Sequence, residues 1–435
     1  MALVLIPILA QALFVSAGDR SEVSLRNTQD ESYLDVVTQG QLGLAVLTRR
    51  STWRLSYSPT LSQYDLGGAT SSLLILHTGT FSANLRLTPR TSVFVMEEGS
   101  YGERSMRLMP LVTPQSSGYY TAGAAADTPT GGANTSGGVG AQAGLGPQVT
   151  VPVPRTILYG STTGTVAVTN QLNSRWQTLA RLGYHVSGGL DQVSRSFMPR
   201  LETVSSGVAL SHAATRRDQV VLGLDAFRSN TRAEFVEREA AVASADITWR
   251  HQSGRTLSAE LSAGVAFARV TTFARSPFRP EFPLPSVPSY DPALSNTHEA
   301  DNFVVPTGSL NLSSTHRWQR GRLQLGFAQS IYPYVDRMTG LVSPRSVTQV
   351  RAAWTRRRLT VGGTGEVATS LLSEREGSAL RRLYNFHQFL EYALRPHWTF
   401  QTGLRETLFD FANVDTTVVW IAYAAASYTT GDVSP

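Results

Sequence analysis

Apolar and polar side chains alternate along most of this chain. In residues 256–270, TLSAELSAGVAFARV, Leu257, Ala259, Leu261, Ala263, Val265 and Phe267 fall on one face. Ser258, Glu260, Ser262, Gly264 and Ala266 fall on the other. A period of two held over about ten residues marks a strand whose two sides meet different surroundings. The pattern recurs in Trp53, Leu55 and Tyr57 against Arg54, Ser56 and Ser58, and from Leu73 to Leu87. It returns in Leu323, Leu325 and Phe327 against Arg322, Gln324 and Gly326. Trp398, Phe400, Thr402 and Leu404 oppose Thr399, Gln401, Gly403 and Arg405 in the same way. Helical periodicity is scarce.

Short polar turns separate these runs, centred near residues 50, 89, 174, 216, 254, 320, 357 and 396. Five of the seven intervals between them fall between 37 and 42 residues, the length of two strands, a tight turn and a longer loop. The two wider intervals hold insertions at 101–154 and 272–302. The first is rich in Gly, Ala and Thr and has too little apolar bulk for a core. The second carries prolines at 277, 280, 283, 285, 288 and 292, which exclude a central strand. The chain is therefore a single array of hairpins, tight at one end and variable at the other.

Six of the seven tryptophans, Trp53, Trp176, Trp249, Trp318, Trp354 and Trp398, sit within five residues of a short turn and share the apolar parity of their strands. A soluble core does not confine indoles to one end of every hairpin. A bilayer interface does, because the indole body prefers the apolar layer and its N–H prefers hydrated headgroups. The expected fold is an all-β, transmembrane, antiparallel up-and-down β-barrel, with these residues as a periplasmic aromatic girdle. Strands in lipid must pair every backbone group, which requires closure. Eight tight turns give sixteen strands from about 33 to 411. DTTVVWIAYAAASYT at 415–429 and SEVSLRN at 21–27 raise the expected number to 18, with 16 as the alternative.

Composition agrees with a membrane wall. Charged residues make up 16% and hydrophobic ones 41% of the 435 residues, against roughly 25% charged in soluble domains. There are no cysteines, so disulfides, thiol chemistry and Cys-bound zinc are excluded. All 38 basic residues are arginine, giving +6 overall. They are dispersed rather than gathered with stacking aromatics, which argues against nucleic acid. The apolar opening through Val15-Ser16-Ala17 fits a signal peptide over 1–17, although a basic n-region is missing. The barrel would then occupy 18–435. The terminal aromatic common in barrel insertion signals is replaced by GDVSP.

A barrel of 16 to 18 strands encloses an aqueous lumen unless something fills it. Polar-face parity directs Arg54, Arg86, Arg181, Arg317, Arg351 and Arg405 inward, with Asp225, Glu260, Glu366 and Glu391. The mixed signs suit a neutral or weakly charged polymer as well as small solutes. The histidines at 77, 185, 212, 251, 298, 316, 387 and 397 fall in no nucleophile or metal spacing. No GxSxG, HExxH or phosphate loop occurs. Neither catalysis, a metal nor a cofactor is expected. His77 shares the face of Leu73, Ile75 and Phe81, and a local bulge is the expected reason.

STWRLSYSPTLSQY, LTPRTSVFVMEEGSYGE and the repeated strand–turn units resemble outer-membrane β-barrel proteins of diderm bacteria. In length and layout the chain is similar to barrels that serve as conduits in polysaccharide secretion. That resemblance implies an outer-membrane channel passing polysaccharide or small hydrophilic solutes, with polymer export favoured. Its partners would be outer-membrane lipid, the barrel-assembly machinery and a periplasmic polysaccharide-export partner at the Arg-rich turns. The alternatives are a surface interaction or adhesion protein anchored by its barrel and, further off, a barrel hydrolase.

Overall fold

A computed structural model describes residues 12–27, 32–64, 66, 72–105, 156–232, 236–254, 256–275, 296–335, 342–371, 380–395, 397–411 and 417–430. Residues 1–11 of the expected leader, and most of both expected insertions, lie outside them. Eighteen strands follow in chain order. The first nine are β1 (Ala12–Asn27), β2 (Ser32–Leu47), β3 (Ser51–Tyr64), β4 (Ser72–Arg86), β5 (Thr91–Ser105), β6 (Thr156–Gln171), β7 (Trp176–Gly189), β8 (Arg200–Ala213) and β9 (Asp218–Arg232). The rest are β10 (Val236–Ser253), β11 (Leu257–Arg275), β12 (Asn296–Trp318), β13 (Gly321–Val335), β14 (Val342–Arg356), β15 (Leu359–Ser370), β16 (Leu380–Arg395), β17 (Trp398–Phe411) and β18 (Thr417–Thr430).

Each strand pairs antiparallel with its chain neighbours, and β1 also pairs with β18 from Ala17↔Thr430 to Asn27↔Trp420. The sheet is therefore a closed barrel without an edge, the condition that lipid imposes on a spanning β structure. The seam is reinforced where Thr430 Oγ1 accepts from the Ala17 N–H at 3.0 Å and donates to its carbonyl at 2.9 Å. β1 starts at Ala12, so residues 12–17, at the end of the expected leader, are drawn here as strand.

All eight short turns lie at one end, and four of them share one device. Thr48, Thr88, Asn173 and Thr215 each use a side-chain oxygen to accept the backbone N–H groups two and three residues on. These are short Asx- and Thr-turns, and the residue two places on is Arg50, Arg90, Arg175 or Arg217. At the opposite end α1 (Gln192–Phe197) joins β7 to β8, a helix that the alternating pattern does not foretell. Asp191 caps it, accepting from the Ser194 N–H at 2.7 Å. That backbone hydrogen bond holds the Asp191 carboxyl below its ordinary pKa.

Curvature separates the two faces. The convex side splays its side chains apart and exposes Leu13, Leu182, Val204, Leu224, Phe267 and Val304, all of them outward by register. The concave side crowds its side chains, so Glu22, Arg26, Asp35, Ser229 and Thr231 are buried there. The nearest approach to a core is a patch on the concave side, where Val242, Ala266, Val270, Val305 and Val342 pack towards the end with the longer connections.

One expectation fails. His77 does not sit in a bulge. β3 and β4 pair without interruption from Ser51↔Leu85 to Tyr64↔Ser72, and His77 is exposed on the convex face. Its imidazole shares a 2.7 Å hydrogen bond with the Tyr57 hydroxyl and stacks on that ring. A neighbouring phenol, rather than a register change, accommodates it.

Candidate functional site

The concave wall carries the polar chemistry, and its most connected cluster spans β16, β17, β18 and β1. Arg405 grips Glu22 through both terminal nitrogens, at 2.9 and 3.1 Å. Arg20 donates to the same carboxylate at 3.1 Å and to the Gln401 amide oxygen at 3.1 Å. Two guanidinium groups therefore share one carboxylate, which leaves the cluster positive. The Arg405 guanidinium lies 4.1 Å from the Tyr423 ring centroid, within cation–π range. The Tyr423 hydroxyl meets His387 Nε2 at 2.7 Å. Arg405 and Glu22 belong to strands separated by β18, so the cluster crosses the wall rather than following one strand.

A second crossing joins Arg181 on β7 to Asp225 on β9 at 2.7 Å. The residue between them on β8 is Gly207, in register with both. A Cβ there would collide with the Asp225 carboxylate and the Arg181 side chain. The same rule applies at Gly403, where a Cβ would lie 2.8 Å from the Tyr423 hydroxyl. Both of these strand-skipping contacts pass a glycine on the middle strand.

Glu260 pairs with Arg250 at 2.9 Å, and Glu366 accepts from Gln349 Nε2 at 2.6 Å. Arg54, Arg317 and Arg351 face the interior exposed, and pair with no described carboxylate. Arg86 lies by the turn end and donates to the Pro89 carbonyl at 3.3 Å. Glu391 also has inward parity, opposite Thr360 and Gln401. Of the ten candidates the structure thus joins Arg181 with Asp225 to each other, while Arg405, Glu260 and Glu366 take partners outside the set. Between the charges run paired hydroxyls, Ser100 with Ser161 at 2.6 Å, Ser258 with Ser313 at 2.6 Å and Ser262 with Ser309 at 2.7 Å. Phe94 and Met96 also face inward, each 38% exposed.

Sequence reasoning missed Arg20, Glu22, His387, Gln401 as a partner, and Tyr423. The alternation of Glu22, Ser24 and Arg26 against Val23 and Leu25 was available as a signal for β1. Nothing local announces that β1 closes on β18, and that closure creates the cluster. The described histidines elsewhere meet aromatics, hydroxyls, the Thr429 carbonyl in the case of His397 and, at 2.8 Å, the Asp218 carboxylate in the case of His251. His185, for example, meets Thr163 at 2.7 Å and Ser187 at 2.9 Å.

On the convex face Trp53, Trp176, Trp249, Trp318, Trp354 and Trp398 all lie on the apolar parity towards the short-turn end. Three meet an imidazole, Trp176 with His212, Trp249 with His251 and Trp318 with His316, at centroid distances of 4.3, 5.6 and 5.9 Å. Trp420, the seventh, lies ten residues up β18 from Thr430. At about 2.5 Å of height per residue in a tilted strand, that is roughly 25 Å, the height of an apolar membrane band.

Residues 16–380 match the model of the EpsX exopolysaccharide export family. No curated protein matches the sequence. Among solved structures the chain is similar to OccK11 (OpdR) of Pseudomonas aeruginosa, at 11% identity over 97% of this chain and 98% of that one, with a TM-score of 0.44. It is also similar to the alcaligin outer-membrane receptor FauA of Bordetella pertussis, at 12% identity over 96% and 76%, with a TM-score of 0.44. The ferric-catecholate import receptor Fiu of E. coli K12 gives 8% identity over 95% and 81%, with a TM-score of 0.46.

Proposed function

The chain belongs to the EpsX exopolysaccharide export family, and we propose that its barrel is the conduit through which an exopolysaccharide crosses the outer membrane. The molecule is an outer-membrane β-barrel of the channel type. The reading for a polymer rests on the inner wall. Nine of its charges, Arg20, Glu22, Arg26, Asp35, Arg181, Asp225, Arg250, Glu260 and Arg405, are held in ion pairs, and many of its hydroxyls are bonded to one another. Such a surface offers a sugar chain numerous exchangeable hydrogen bonds without a deep well. Passage needs binding strong enough for entry and shallow enough for exit.

The roles follow from position. Arg20 and Arg405 form the best-organised point of contact, two guanidinium donors for sugar hydroxyls, and the buried Tyr423 ring backs Arg405. Arg54, Arg86, Arg317, Arg351, Glu260, Glu366 and Glu391 keep the wall wet. The tryptophans near the turns hold the barrel at the periplasmic interface, with Trp420 at the opposite one. Exposed Arg49, Arg50, Arg216, Arg217, Arg357 and Arg358 give the turn end a positive rim for a periplasmic export partner. The general barrel-assembly machinery inserts the chain.

Planar-bilayer recording tests this reading. Purified protein produces discrete conductance steps, and the polymer of the producing cell, added on the turn side, interrupts them. Cells lacking the protein retain polymer in the periplasm. Absence of conductance, even after removal of residues 106–155, turns the reading towards a surface anchor. Conductance that responds to small solutes and never to polymer turns it towards a diffusion porin.

A further inference from the structure

The convex wall is not uniform around the barrel. From β8 to β17, its middle rows carry Val208, Leu224, Ile247, Leu261, Val350 and Leu390, with only uncharged polar residues such as Ser206, Gln329, Gln388 and Thr402 among them. From β1 to β7 the corresponding rows also carry exposed Leu42, Leu55, Val166 and Leu182, but these are interrupted by Asp19, Tyr57, His77, Glu97 and Tyr184, all exposed. Glu97 has the register parity of Phe81 and Val95, which places it outside. It lies six residues above Thr91, about 15 Å up a tilted strand and well inside the apolar band. The Tyr184 hydroxyl reaches it at 3.0 Å across Gly164, where a Cβ would strike the Tyr184 ring. Asp19 on the same side faces outward opposite Tyr428 and Gly40.

A carboxylate held at mid-height on a lipid-facing wall is costly, and such residues normally turn towards another protein. We infer that the β1–β7 face of the barrel is buried in the membrane against a second copy of this chain. Besides the Tyr57–His77 and Tyr184–Glu97 bonds made within one copy, the face carries the Asp19 carboxylate, the second oxygen of Glu97, the second imidazole nitrogen of His77 and the Tyr101 hydroxyl, acceptors and donors on one arc. Contact between identical copies requires that both partners of each pair be present on one surface. Two convex barrels meet over about three strands of such an arc; at about 5 Å spacing and an apolar height of about 25 Å this buries on the order of 400 Å² per copy, a small interface in which polar groups carry the specificity. Gly79 and Gly99, directly paired on β4 and β5, flatten the centre of the arc, and a Cβ at Gly79 would meet nothing within 4 Å.

The mass of the purified full chain in mild detergent and in lipid nanodiscs, by light scattering, tests the inference without reference to transport. The expected mass is a whole multiple of the 47.2 kDa chain, at least two. The charge-reversing pair Asp19→Arg and Glu97→Arg should give the single-chain mass while keeping the folded, heat-modifiable gel mobility of the barrel. Because the chain has no cysteine, Gly99→Cys and Tyr101→Cys, paired with Leu224→Cys as control, read the same contact in native membranes through a bismaleimide. A product of twice the chain mass from the first two and not from Leu224→Cys supports the inference. Single-chain mass in every medium with no crosslink overturns it. A crosslink only to a different protein also overturns it and assigns the face to that protein.

Discussion

Arg405 and Glu22 meet through two parallel hydrogen bonds across β18, although 383 residues separate them in the chain. This fork is the geometry in which an arginine–carboxylate pair is strongest, and Arg20 shares the same carboxylate. Glu22 therefore balances two cations at one point of the inner wall.

Neutralising it by Glu22→Gln leaves both guanidinium groups facing the lumen without their counter-charge. The chloride-to-potassium permeability ratio, read as the reversal potential in a KCl gradient, should rise on the order of twofold. The same variant should lose roughly 2 kcal/mol of unfolding free energy in urea, less than a fully buried pair because the lumen is wet. An unchanged reversal potential would place the cluster away from the path of ions.

Gly207 lies under the Arg181–Asp225 bridge and leaves no room for a β-carbon. Gly207→Val should displace the bridge and lower stability by about 1–3 kcal/mol, the usual cost of overpacking. Gly326→Ala, whose added carbon would meet only Arg351 Cβ at 3.7 Å, should stay within about 0.5 kcal/mol of the parent. Equal urea midpoints for the two variants would remove the bridge-floor explanation.

Arg357 is the one described residue other than glycine with a positive φ, 53°, in the two-residue turn between β14 and β15. A tight hairpin demands that conformation, and glycine adopts it without Cβ strain. Arg357→Gly should stabilise the barrel by about 0.5–1 kcal/mol, measured as the temperature at which the compact gel form is lost. A fall in that temperature would show that the guanidinium contributes more than its backbone costs.

The two tryptophan levels can be read by fluorescence. In variants retaining Trp249 alone or Trp420 alone, phospholipids brominated close to the headgroup should quench more than those brominated near the acyl end. Stronger quenching from the acyl end would remove both residues from the interfaces.

Alternation and turn spacing determined much of this molecule. A side chain in a strand has only two directions, so the parity of Leu257, Trp318 or Arg405 can be read locally. Tight turns at regular intervals fixed the hairpin order, and the need to satisfy every backbone group in lipid forced closure. The inward direction of Arg181 and Asp225 was legible for the same reason. Their meeting over Gly207 was not, because it depends on the stagger between three strands. The Arg20–Glu22–Arg405 cluster was hidden further still, since it exists only where the two ends of the chain close the barrel. His77 shows the limit of parity itself. The sequence placed it among lipid-facing side chains, and only the tertiary structure supplied the Tyr57 hydroxyl beside it and the other polar groups gathered on that arc. Local sterics set the face of a residue, whereas its neighbours are set by register around a closed circumference.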